Sequence, residues 1–62
     1  MWKTQFAVMS RFGDGSAGVE YYATAADARQ VYNDSVERNA DGFLHPHFLL
    51  VIDGRPVEGK QL

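Results

Sequence analysis

Sixty-two residues, no cysteine and a formal net charge of −2 describe one small domain that must hold itself together by packing. The missing cysteines exclude disulfide staples, thiolate nucleophiles and cysteine-ligated zinc, and the interspersed acids and bases argue against a basic face that grips duplex phosphates. A domain of this size buries only about 60% of the surface its unfolded chain exposes, which leaves little room for an enclosed substrate pocket.

The opening residues Met1-Trp2-Lys3-Thr4-Gln5 lack the apolar run of a secretory leader, and no stretch approaches bilayer-spanning length. The expectation is a cytoplasmic protein with no membrane partner. From Trp2 to Phe12 the residues alternate as a half-buried strand requires: Trp2, Phe6, Val8 and Phe12 fall on one side, and Lys3, Gln5, Ala7, Met9 and Arg11 on the other. Gly13-Asp14-Gly15-Ser16-Ala17-Gly18 breaks this pattern, and alternation resumes from Val19 to Ala23, with Val19, Tyr21 and Ala23 opposite Glu20 and Tyr22. These two segments are expected to form a hairpin.

Thr24, followed three residues later by Asp27, reads as a helix start in which the threonine hydroxyl caps the first turn and the aspartate suits the positive end of the helix dipole. At 100° per residue, Ala25, Ala28, Val31, Tyr32, Ser35 and Val36 collect on one side, while Gln30, Asp34 and Glu37 lie opposite. Asn39-Ala40-Asp41-Gly42 stops the helix, since Asn and Gly tolerate the left-handed backbone that ends helices. About fourteen helical residues span roughly 21 Å, enough to cross a sheet once. His45, ahead of Pro46, is expected to be extended, and His47 to Ile52 is a strand by composition. Asp53-Gly54 is a two-residue hairpin signal, returning the chain through Arg55, Pro56 and Val57 as a short edge strand, after which Gly59 to Leu62 is expected to fray.

The predicted fold is therefore α+β, a single β-β-α-β-β domain over residues 1–62 with one helix on one face of an antiparallel sheet of order 2-1-3-4. Parallel pairing of the third strand with the second, through a right-handed crossover, is the rival topology.

Candidate chemistry is sparse. The glycine loop matches G-x-G-x-x-G, but a strand follows it, so no helix N-terminus is available to hold a phosphate. A hairpin loop, expected to be mobile, accounts for it. His45 and His47 share strand parity, yet no third ligand is evident, and Asp53 lies roughly 20 Å from His47 along an extended strand. No metal site and no cofactor are expected. Ser10, Ser16 and Ser35 lack a base and an orienting partner, and Asp27, Asp34 and Glu37 sit on a solvated helix face with Asp34 and Arg38 spaced to pair, so no catalytic residues and no small-molecule substrate are expected.

The informative surface is the sheet face that one helix cannot cover. With Phe6, Val8, Val19, Tyr21, Phe48, Leu50 and Ile52 assigned beneath the helix, Ala7, Met9, Arg11, Tyr22, Leu49 and Val51 become the candidate partner-binding residues, rimmed by Lys3, Glu20 and Arg55. The segment Tyr22-Ala23-Thr24-Ala25-Ala26-Asp27-Ala28 resembles the strand-to-helix junction of small phage-encoded proteins that bind and inhibit host enzymes, such as the phage inhibitor of bacterial RNA polymerase. That resemblance covers about a third of the chain and implies a binding role. The expected function is a non-enzymatic protein-binding module, of the phage or mobile-element inhibitor kind, that occludes a host protein through its open sheet face or its acidic helix. A homodimer through the same face is compatible with it. The alternative is a single-stranded nucleic-acid binder in which Tyr22 stacks on a base while Lys3, Arg11 and Arg55 meet phosphates, a partner class that the single aromatic on that face disfavours.

Overall fold

The computed structural model describes residues 5–62. Four strands and one helix follow in the order β1 (Phe6–Arg11), β2 (Ala17–Tyr22), α1 (Ala25–Arg38), β3 (His47–Ile52) and β4 (Arg55–Gln61). All pairings are antiparallel and the spatial order is β2-β1-β3-β4, the preferred topology of the two considered. Trp2 and Lys3, assigned to the first strand and the rim, lie outside the described residues.

Each local signal has a physical counterpart. Thr24 is extended (φ −135°, ψ 156°) and its Oγ1 accepts a hydrogen bond from the Asp27 amide at 3.1 Å, supplying one of the acceptors that first-turn amides lack. At the other end the Asn39 side chain donates to the Ser35 carbonyl at 2.7 Å, and Gly42 takes the left-handed backbone (φ 73°) that turns the chain away. Between these caps, Ala28 and Tyr32 are buried against Val8, Phe48 and Leu50, with Phe6, Phe12, Tyr22, Val31, Val36, Ile52 and Leu62 packed around them. Phe12 meets Phe48 edge to face, with ring centroids 6.2 Å apart. The helix lies mainly over β3 and β1 and only skirts β2.

Four expectations are corrected. The glycine loop is a hydrogen-bonded turn that brings β2 in early: the Phe12 amide donates to Ser16 O, Gly15 N–H to Phe12 O, and both the amide and the hydroxyl of Ser16 donate to Asp14 Oδ1. Those two bonds hold the Asp14 carboxyl below the usual carboxylate range. This turn fixes Ser16 opposite Phe12, so β2 begins at Ala17 rather than Val19.

The chain end does not fray. β4 continues to Gln61, whose side-chain amide donates to His45 O at 2.8 Å while the Leu62 amide donates to Pro46 O at 2.8 Å. His45 is not extended. Leu44 (φ 66°) and His45 (φ 48°) both occupy the left-handed region, held there by bonds from His45 N–H to Gly42 O and from Gly13 N–H to Leu44 O. The two-residue parity proposed for His45 and His47 therefore fails. Asp34 and Arg38 form no ion pair; among the described residues the ion pair is Arg29–Glu58 at 2.8 Å, joining α1 to β4 across the sheet edge.

Candidate interaction surface

Side chains of paired residues in an antiparallel sheet lie on the same face. Val8 is paired with Glu20 and Leu50, and Phe6 with Tyr22 and Ile52, so these residues share the helix side. The opposite face is a grid of three rows. Ala17, Arg11, His47 and Gln61 form the first; Val19, Met9, Leu49 and Gly59 the second; Tyr21, Ala7, Val51 and Pro56 the third.

This grid inverts the assignment of β2. Val19 and Tyr21, expected beneath the helix, stand on the open face and are 44% and 65% exposed. Tyr22, expected among the partner-binding residues of the open face, instead packs at the rim of the helix-side core, and its hydroxyl donates to Glu20 Oε1 at 2.9 Å. Partial burial, reinforced by that carboxylate, raises the Tyr22 phenol above its ordinary range. The cause is the turn. Alternation alone allows either parity for a short strand such as Ala17–Tyr22, and the pairing of Ser16 with Phe12 selects the one that places Val19 beside Met9. The sequence signal that points to Val19 and Tyr21 is the Asp14-Gly15 turn, from which the register can be counted outward.

The other five candidates are where the sequence places them. Met9 is exposed, Leu49 and Val51 are half-buried, and Arg11 is exposed at one end of the grid. Ala7 is 2% exposed, so it is part of the floor of the surface rather than a contact. His47, read from the sequence as a strand-entrance residue, joins the surface beside Arg11.

Met9, Arg11, Ala17, Val19, His47 and Leu49 line a shallow groove of about 510 Å³. Its shape depends on small residues at both margins. On the β2 side Ala17 and Gly18 leave it open; on the β4 side a Cβ at Gly59 would sit 3.1 Å from Leu49 Cδ1, so glycine lets the Leu49 side chain lie across β4. The groove is mostly aliphatic and thioether, with Ser10 in its lining and an arginine and a histidine at one end. Such a surface can desolvate an apolar side chain while the guanidinium orients an acceptor on the partner.

Ser16 Oγ, a candidate hydroxyl, donates to Asp14 Oδ1 at 2.7 Å within its own turn. Among the described residues no group of three or more histidine, aspartate or glutamate side chains could hold a metal ion, and no helix is long and apolar enough to cross a membrane. No family model, curated protein or solved structure matches the chain significantly.

Proposed function

We propose that this chain is a non-enzymatic protein-binding module that occludes a partner with the open face of its sheet. The observation that carries the reading is the row Val19-Met9-Leu49, an apolar stripe on the face that α1 leaves uncovered, with Arg11 and His47 at its rim. A folded chain that keeps an exposed methionine flanked by branched aliphatics, with an adjacent 65%-exposed tyrosine, carries the residue types that anchor interfaces. Occlusion requires only that this face be seated; no catalytic group is involved, which agrees with the binding role implied by the resemblance of residues 22–28 to phage inhibitors.

The acidic helix is the less favoured surface, because Asp27, Asp34 and Glu37 are solvated and share α1 with Arg29 and Arg38. The nucleic-acid alternative loses its constellation: Tyr22 faces the helix side, Arg55 is paired with Ile52 of that same side, and Lys3 lies outside the described residues.

Quantitative capture from cells of the natural source tests the proposal, with wild type, Met9→Asp and Asp34→Lys as parallel baits. An unpaired charge at Met9 loses water without gaining a counter-ion, so a partner recovered with wild type and with Asp34→Lys should be depleted at least tenfold with Met9→Asp. Recovery that is lost with Asp34→Lys and kept with folded Met9→Asp would transfer the function to the helix.

A further inference from the structure

The geometry points to a second interaction surface, the outer edge of β2, and to a second copy of this chain as its occupant, paired antiparallel about a two-fold axis centred on Val19. This inference is independent of the open-face reading, since it uses the backbone of an edge strand rather than a sheet face.

The hydrogen-bonding parity of β2 follows from two bonds. Phe12 N–H donates to Ser16 O, so even-numbered residues of β1 turn their backbone groups toward β2, and their pairs at Ser10–Gly18, Val8–Glu20 and Phe6–Tyr22 do likewise. Gly13 N–H, one residue on, turns the other way to Leu44 O, and Gly54 N–H donates to Gln5 O, as that parity requires for odd residues. The backbone N–H and C=O groups of Ala17, Val19 and Tyr21 therefore point out of the sheet. β2 is an edge strand, and among the described residues nothing pairs with these groups.

The two sheet edges are unlike. β4 carries Pro56, a register irregularity opposite Leu50/Val51 and Lys60, devices that blunt an edge against further pairing. β2 carries none of them: Ala17–Tyr22 has no proline, no lysine and an unbroken register with β1. Such an edge is a template for strand addition.

The side chains select a copy of the same strand. The first half of β2 is small (Ala17, Gly18) and the second half large (Glu20, Tyr21, Tyr22). Antiparallel pairing about Val19 sets Tyr21 of one copy across from Ala17 of the other and Glu20 across from Gly18, so large meets small on both faces and the two carboxylates are kept apart. Moving the centre to Glu20 would place like charges directly opposite. The preferred register is isologous and closed, and it leaves both helices on one side of an eight-stranded sheet whose open faces run together.

Sedimentation equilibrium from micromolar to millimolar protein, with amide exchange measured across the same range, tests this. The expected result is a reversible dimer in which the Ala17, Val19 and Tyr21 amides gain protection with concentration. Val19→Pro removes an outward N–H and replaces the Val19 side chain while leaving the backbone bonds to β1 in place, so it should give a folded monomer, whereas Met9→Asp, on the same face but on β1, should still dimerise. A wild type that stays monomeric with those amides exchanging freely overturns the inference, even where Val19→Pro fails to fold. A dimer that survives Val19→Pro, or that is lost in Met9→Asp, also overturns it and assigns association to the open face.

Discussion

Leu49 and Leu50 are adjacent in β3 with identical side chains, and the sheet puts them to opposite uses. Leu50 is fully buried beneath α1 among Val8, Ala28, Tyr32 and Phe48, while Leu49 lies half-buried on the open face between Met9 and Gly59. Residue type does not separate them; pleating does. The helix face concentrates the energy that folds this small domain, and the open face carries apolar surface that packing against α1 does not use.

The widest separation between the faces is expected from truncating each leucine in turn. Leu50→Ala should cost about 2–5 kcal/mol, because a cavity is left among close-packed neighbours, and Leu49→Ala about 1 kcal/mol or less, because its site opens to water. Urea unfolding of both variants checks this, and equal losses would mean that the open face is part of the core. Thr24→Ala should cost roughly 1 kcal/mol by removing the oxygen that accepts the Asp27 amide, lowering the denaturant midpoint without changing the slope.

The Arg29–Glu58 pair, with side chains 51% and 47% exposed, ties the helix to β4 from the surface. Arg29→Met should change stability by less than about 1 kcal/mol, and the difference from wild type should shrink as salt is added. The smallest effect near neutral pH concerns Tyr32. Burial, aided by the nearby Glu58 carboxylate and opposed by Arg29, raises its phenol above the ordinary value of 10.0. The folded state then holds the proton more tightly than the unfolded state, so this contribution is fully present below pH 10 and is lost as pH rises toward the folded value. Tyr32→Phe should behave like wild type at pH 7 and show a shallower loss of stability above pH 10, measured as the alkaline limb of the thermal midpoint.

What the sequence discloses follows from how local each determinant is. The helix with its Thr24 cap and Asn39-to-Gly42 stop, β3, the Asp53-Gly54 turn and the strand order are all encoded by neighbouring residues or by one amphipathic stripe. Three features were missed because bonds outside each segment's own pattern decide them. The face of β2 depends on the turn register rather than on its own alternation. The left-handed backbone at Leu44 and His45 overrides the extended preference that Pro46 imposes, held by bonds reaching Gly13 and Gly42. The last residues of the chain are poor strand formers by composition, yet they pair because His45 and Pro46 offer carbonyls to Gln61 and Leu62. Of the candidate surface, Met9, Leu49 and Val51 were legible from β1 and β3; Val19 and Tyr21 were missed in favour of Tyr22 for the same reason that β2 was inverted.

The most direct test of the open-face assignment is side-chain methyl NMR of this protein, titrated with the partner recovered by capture. The expected result is that the methyls of Met9, Val19, Leu49 and Val51 shift or broaden at stoichiometric partner while those of Val31 and Val36 on α1 stay in place. Perturbation of Val31 and Val36 with Met9 and Leu49 unmoved would contradict the account and place the contact on the helix side of the sheet.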